Sequence, residues 1–545
     1  MSITITIIRL LLVYCAIFFI VLLAIGLVEL LCPGILPGFF KKPVSKVLNV
    51  WVHAYLEWKY PVLDASRKRD GIPSCPYVWP NGQGDSSKFL GGVENSIAWG
   101  NQYGDTYRIW SGMKPEIVLT QPHQLYAVFR DSDKHCKAPA NNSGFYMSRL
   151  LGQCVGLISG SEWRAVRAVA EIPFGHRAVA LQFDNFQRQV LGHFEALHAS
   201  KGVDDSNLNR GFLHPVDDLA MLPFRIVADM FYGQLSPELR MLLEDMVPLR
   251  TRIFNTHVIG GGLHRFAWSR FLPTAANAEL KRFKREWKGF NRRVLEHAQQ
   301  EKGTLPPIVD MYGAVASQNL SEEQLLQTLD ESLFANLDVT IGGLSWIPVF
   351  LAADKDVQRR LRTEIETQAS LGADTFRRYL LNGSSTYLAC CVLESSRLRP
   401  LAAFSVPQAA PTPRRIDVTS GPGFVVPAGT SFVVDTYALN VRSGAWAPDN
   451  ESFRPERFMN RAAKNSLDRR YLFWRFGFGP RQCMGRHAAD LIIRMTVAYL
   501  VRNYDLDLVS VDDHPGDAHW ARSQTCWITH PDFKLKCTRR HSDSS

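Results

Sequence analysis

The stretch Phe476-Gly-Phe-Gly-Pro-Arg-Gln-Cys-Met-Gly485 constrains this chain more than any other part of it. Two glycines and a proline force a tight loop. The residues after it, from about Met484 to Asn503, read as a final helix. Cys483 therefore stands at a helix start, where the helix dipole stabilises an anion and lowers a thiol pKa. Arg481, two residues away, adds a cation. Gly485 has no side chain, so a flat and bulky group can lie against the backbone. A thiolate on a rigid loop beside a cation suits a metal ligand. The plainer alternative is a glycine-rich turn around a buried structural cysteine. A phosphate loop is a third candidate, but no strand–GxGxxG–helix context supports it.

The chain has 545 residues, 46% of them hydrophobic, which is ample for a large core. Lys plus Arg total 62 against 52 Asp plus Glu, a net charge of +10 spread along the chain. No dense basic run marks a nucleic-acid tail, so no nucleic-acid partner is expected. The excess fits a solvated basic surface or a docking face for an acidic partner. The 10 cysteines are scattered, with no C-x-x-C pair, which excludes a disulfide framework and fits a reducing compartment.

The run LLLVYCAIFFIVLLAIGLV, from Leu10 to Val28, carries no charge. About 20 such residues span a bilayer core as a helix. A cleaved signal peptide usually has a shorter apolar stretch and a small-residue cleavage site, so a retained anchor is the better reading. Arg9 precedes the run, and Lys41, Lys42 and Lys46 follow it, which places the bulk of the chain on the cytoplasmic side. Residues 1–31 are read as a transmembrane anchor and 32–50 as a proline-containing linker, where Pro33, Pro37 and Pro43 stop the helix. Residues 51–545 then form one catalytic domain.

The fold class expected is mainly α with a small β portion. Ser321-Glu-Glu-Gln324 reads as a capping box opening one long buried helix through LLQTLDESLFANLDVTIGGLSWIPVFLAA. Asp354–Gln368 and Tyr387–Leu398 read as helices, and GFVVPAGTSFVVDTYAL as short strands.

The cysteine loop resembles the haem-binding loop of the cytochrome P450 family, F-x-x-G-x-R-x-C-x-G. Its fixed positions are here Phe476, Gly479, Arg481, Cys483 and Gly485. Glu394-Ser-Ser-Arg397 is similar to the family's E-x-x-R pair, whose spacing puts both side chains on one helix face. Phe453-Arg-Pro-Glu-Arg-Phe458 resembles the family's meander, whose second arginine, here Arg457, joins that pair. Trp163-x-x-x-Arg167 resembles the helix that contacts a haem propionate. The resemblance implies the cytochrome P450 fold and haem b with Cys483 as axial thiolate, a ligand that favours O–O cleavage. It implies a monooxygenase that uses O₂ and electrons from a separate NADPH-cytochrome P450 reductase, since the chain has no flavin or nicotinamide fingerprint of its own. It also implies a single-pass protein of the endoplasmic reticulum membrane.

One motif departs from the family. Its central helix usually carries A-G-x-[DE]-T over the haem, and here reads Ala335-Asn-Leu-Asp338-Val339-Thr340. Val339 takes the threonine position and Asn336 the glycine position, while the acid, Asp338, is retained. Asp338 and Thr340 are the expected catalytic residues. Thr340 stands about 100° round the helix from the usual hydroxyl. The positions that match the family's pocket walls, at Phe145-Tyr-Met, near Phe334 and Val339, from Ala402 to Val406 and at Trp527, are all apolar or aromatic. Such walls suit a lipophilic small molecule. The stretch NLDVTIGGLSW looks like fungal enzymes of secondary metabolism. The alternatives are a haem-thiolate isomerase or dehydratase that needs no reductase, and a non-catalytic haem protein.

Overall fold

Ser321 opens the central helix as its spacing requires. Its hydroxyl accepts from the Gln324 N–H at 3.1 Å, and the Gln324 side chain accepts from the Ser321 N–H at 2.9 Å. In the computed structural model this helix is not continuous. It runs as Glu322–Phe334, tightens to a 3₁₀ turn at Ala335–Leu337, and resumes as Val339–Ala353. The single long helix expected from the sequence is thus corrected to two. The Asn336 side-chain amide donates to the Ser332 carbonyl, the acceptor that a continuous helix would give to the Asn336 backbone N–H. Asp338, at φ −111° and ψ −52°, begins the second piece.

The structure describes residues 2–31, 35–66, 71–137, 144–199, 208–259, 262–300, 305–419, 421–459, 470–509, 523 and 526–540. The chain is mainly helical, with small sheets. A five-stranded sheet has the spatial order Thr106–Ser111, Lys114–Leu119, Ser431–Val434, Gln408–Ala409 and Cys136–Lys137. Lys114–Leu119 pairs parallel with Ser431–Val434, and the other neighbours are antiparallel. In the last pair Lys137 faces Gln408. Two three-stranded sheets make up the rest of the β portion among the described residues. The stretch read as short strands supplies Phe424–Val426 and Ser431–Val434 before the chain turns helical at Ala438–Arg442.

The largest apolar cluster surrounds the second piece of the central helix, with Ile341, Leu344, Trp346 and Ile347 packed on Leu388, Leu398, Ile492 and Val497. The run Glu322–Ala353 is long and apolar enough to cross a membrane, but it is mostly buried in this core. A second cluster joins the five-stranded sheet to the cysteine loop through Ile117, Phe129, Phe432 and Phe478. The helices Tyr387–Leu398 and Arg486–Asn503 both pack on the central helix.

At the N-terminus, Ser2–Leu31 is one helix that leaves Ile17, Phe18, Ile20, Leu23 and Leu27 exposed. The expected linker at 32–50 is corrected in part, because the chain is helical from Gly38 to Lys59 with Pro43 inside. Pro43 lies within two turns of the helix start, where its missing N–H removes a single bond. Glu29 of the first helix and Lys41 of the second form an ion pair at 2.5 Å.

Candidate functional site

The cysteine loop is shaped by its backbone. Gly477 and Gly479 have φ of +81° and +71°, in the region that favours glycine. A Cβ on Gly479 would stand 2.4 Å from the Phe129 carbonyl oxygen and 2.6 Å from Ser132 Oγ. The Cys483 N–H donates to the Phe476 carbonyl at 2.9 Å, and the Gln482 side chain to the Gly477 carbonyl at 3.2 Å. Cys483 is three residues short of the helix Arg486–Asn503, whose N-cap is Gly485. Its thiol lies deep in the protein, yet its surface is open to an internal cavity of about 480 Å³. Burial pushes the thiol up, and the Gly485 N–H and the Arg167 and Arg486 charges pull it down.

Arg481 does not serve the thiol as its cation. Its guanidinium donates to the carbonyls of His135, at 3.1 Å, and Ile158, and lies over the Trp163 ring at 4.7 Å. Burial lowers its pKa to about 10. Arg167 donates to the Gln482 carbonyl at 3.0 Å and to Glu171 at 2.5 Å, so it braces the loop beside the cysteine.

Glu394 and Arg397 are fully buried and joined by two bonds of 2.8 Å. Arg457 Nε adds a third contact to Glu394 at 3.2 Å, and the Arg454 N–H a fourth at 3.1 Å. Arg397 also donates to the Asn440 carbonyl at 3.0 Å. The Asn440 side chain bonds both the N–H and the carbonyl of Trp474, two residues before Phe476. The charged network therefore reaches the cysteine loop through Asn440.

Opposite Cys483 the cavity is walled by Ala335, Asn336, Val339, Thr340 and Gly343. Thr340 Oγ1 donates to Asn336 Oδ1 at 2.5 Å. Asp338 does not line the cavity. Its carboxylate accepts from Trp527 Nε1 at 3.2 Å, and burial raises its pKa against that bond. Leu401, Ala402, Phe404, Val406, Phe89, Trp527 and Ile528 add to the apolar wall. Phe145-Tyr-Met and Phe334 are not part of it. Tyr146 is buried against His257 and His264, and Phe334 packs on Phe224, Phe283 and Trp287.

Lys137, Gln408 and Glu331 are among the polar groups at the cavity that were not picked out from the sequence. Lys137 and Gln408 are cross-strand partners that both face it, and Gln408 Oε1 is buried without a partner among the described residues. Burial pushes the Lys137 ammonium down to about 8, with Arg481 adding to the shift and Glu331 opposing it. Glu331, on the helix Glu322–Phe334, accepts from the Gly156 N–H at 3.0 Å, and burial raises its pKa. Lys137 and Gln408 sit in two-residue strands, too short for any periodic signal.

These residues fit a haem. The thiol supplies a soft ligand, the apolar walls suit a flat macrocycle, and Gly343 keeps its wall low, an added Cβ there meeting Ile493 at 3.4 Å. Lys137 and Arg481 offer cationic donors for carboxylates.

Comparison with known proteins agrees with this geometry. A family model described as "Cytochrome P450" matches residues 80–530. The chain is 49% identical to the cytochrome P450 monooxygenase aclC of Aspergillus oryzae, over 90% of this chain and 98% of the relative. It is 47% identical to the cytochrome P450 monooxygenase asaD of Aspergillus flavus, over 91% and 92%. With the cytochrome P450 monooxygenase gliC of Aspergillus fumigatus it shares 35%, over 90% and 93%.

Proposed function

Since the chain belongs to the cytochrome P450 family and is a haem-thiolate monooxygenase, we propose that it oxidises a lipophilic small molecule of fungal secondary metabolism, using O₂ and electrons from a separate NADPH-cytochrome P450 reductase. The observation that carries this reading is the Cys483 thiol facing a largely apolar cavity across from the interrupted central helix. Haem b, ligated by the Cys483 thiolate, supplies oxygen activation.

The protein's own groups then have distinct tasks. Gly477, Gly479 and the Phe476 carbonyl hold the cysteine loop in one shape. Trp163, Arg481, Lys137 and Gln408 frame the edge that would hold the carboxylates, and Arg167 braces the loop from Gln482. Phe476 and Gly485 line the thiolate side. Thr340 brings a hydroxyl to the opposite wall. Its proton is given to Asn336 Oδ1, so its oxygen is free to accept from a donor in the cavity. Leu401, Phe404, Val406 and Ile528 exclude water and favour an apolar substrate.

The apolar helix Ser2–Leu31 supports a single-pass anchor in the endoplasmic reticulum membrane, and Lys41, Lys42 and Lys46 after it favour a cytoplasmic catalytic domain. The deciding experiment is expression with a fungal reductase, with metabolite profiles compared between gene-deletion and expressing strains. Product formation that needs NADPH supports the proposal. Turnover without NADPH or reductase would instead establish an isomerase or dehydratase.

A further inference from the structure

The segment Trp527–His530 closes one side of the cavity, and its attachments converge on the break in the central helix. Trp527 Nε1 donates to Asp338 Oδ2 at 3.2 Å. His530 Nε2 lies 2.8 Å from the Asp338 carbonyl oxygen, and a carbonyl can only accept, so that ring nitrogen carries the hydrogen. The same carbonyl accepts from the Gly342 N–H at 2.8 Å. Trp346 Nε1 donates to the Thr529 carbonyl at 2.9 Å, and the Thr529 N–H to the Leu401 carbonyl at 3.0 Å. A Cβ on Gly342 would stand 2.4 Å from Ile528 Cγ2, so its bare backbone lets the segment approach. The Trp527 indole, itself on the cavity wall, packs at 6.3 Å and 84° on Phe89 and at 5.6 Å and 51° on Phe254.

A buried indole N–H needs an acceptor, and a buried carboxylate needs a donor. Asp338 and Trp527 satisfy each other, and Asp338 stays off the cavity wall that Val339, Thr340 and Trp527 itself line. We infer that Asp338 is a positioning residue: its carboxylate fixes the Trp527 indole as an aromatic wall for a substrate with a planar ring, and it does not relay protons into the cavity. Substituting the carboxylate by any acceptor of the same shape preserves the wall, whereas removing the acceptor frees the indole.

The test uses the full-length holoenzyme and two probes, imidazole and 4-phenylimidazole, each titrated by the shift of the haem spectrum. Both bind iron through a ring nitrogen, and the phenyl ring reads the cavity wall, so the ratio of the two dissociation constants isolates the wall. Asp338→Ala and Trp527→Phe should each lower the preference for the phenyl compound by about tenfold, the scale of one buried hydrogen bond. The double variant should be no worse than the poorer single variant, because both break one bond. Asp338→Asn should keep the wild-type ratio, its amide oxygen still accepting from the indole. It should also leave the solvent deuterium isotope effect on reductase-driven NADPH consumption unchanged. An unchanged ratio in Trp527→Phe overturns the inference, even where Asp338→Ala yields no holoenzyme. So does an Asp338→Asn variant that loses the ratio, or that keeps it and shifts the isotope effect. The inference rests on the haem-thiolate reading, which is checked first: a wild-type protein without the carbon monoxide band of a thiolate-ligated haem fails that reading, before any ratio is measured.

Discussion

The two faces of the cavity are built on different principles. On the thiolate face, the bonds nearest Cys483 run within one short loop, from its own N–H to the Phe476 carbonyl and from Gln482 to Gly477, with Arg167 bracing that loop from outside. On the opposite face, Asn336 and Thr340 bond within their own segment, but the groups that set the Trp527 wall come from far along the chain. Asp338 bonds Trp527 and His530, which lie 189 and 192 positions later. A face made of local bonds carries its geometry in residue spacing. A face made of remote bonds does not, because the partner that turns a side chain is absent from its own segment. Function follows the same division: the ligand must be invariant in position, whereas the substrate wall can be re-aimed by changing a distant residue.

The largest expected effect falls on the thiolate face. Cys483→Ser should abolish the strongly red-shifted Soret band of the reduced carbon monoxide complex, since a serine cannot supply a thiolate. A retained band would remove Cys483 from the ligand position and the comparison with it. Next comes Glu394→Ala. It leaves Arg397 buried and without its two carboxylate bonds, and Arg457 without its own. Breaking a buried pair by removing one partner costs about 3–5 kcal/mol, so little haem-loaded protein should be recovered. The haem-to-protein ratio measures this. A normal ratio would show that the network behind the loop is dispensable, and that the loop's own bonds suffice.

Gly479→Ala should be milder. The residue has φ of +71°, and a Cβ would meet the Phe129 carbonyl and Ser132 Oγ. Strain of this kind costs about 1–3 kcal/mol. Lower thermal stability and faster haem loss to apomyoglobin are expected. If Gly479→Ala behaved as the wild type, the loop would owe its shape to the network rather than to its own backbone.

What could be read from the sequence follows the same line. The capping box at Ser321, the helix Tyr387–Leu398 and the Glu394–Arg397 pair depend on neighbours within four residues, and each lies where its spacing puts it. Arg457 was legible by family resemblance alone, because its bond to Glu394 crosses 63 positions. The break at Ala335–Asp338 was missed because apolar periodicity continues through it, while its cause is one side-chain amide taking a backbone carbonyl. Pro43 was read as a stop, but it lies inside the helix Gly38–Lys59, which continues past the one bond that its missing N–H removes. Lys137 and Gln408 give no local signal, since their meaning lies in a pairing across 271 positions, from 137 to 408. Arg481 was placed beside the thiol by proximity in sequence, but the carbonyls of His135 and Ile158 claim it.

The smallest expected effect sharpens the comparison most, because it concerns two neighbouring residues. The usual threonine position holds Val339, and the next holds Thr340. Thr340 donates to Asn336 Oδ1, and the Asn336 amide in turn donates to the Ser332 carbonyl that marks the helix break. Thr340→Val removes this donor, at a cost of about 1–3 kcal/mol for the unsatisfied acceptor. It also takes the hydroxyl from the cavity wall. The share of NADPH electrons lost as peroxide should therefore rise several-fold. Val339→Thr adds a hydroxyl in the first turn of the resumed helix. A helical threonine can return its hydroxyl to a carbonyl of the preceding turn. The added group is then satisfied locally, and it finds Thr340 already in place, so peroxide yield should stay within about twofold of wild type. Measuring peroxide and product per NADPH for both variants separates the possibilities. If Val339→Thr improved coupling while Thr340→Val left it unchanged, position 339 would be the proton-handling site after all. The face opposite the thiolate would then obey its own segment's spacing, as the thiolate face does, and the distinction between local and remote construction would hold for the Trp527 wall alone.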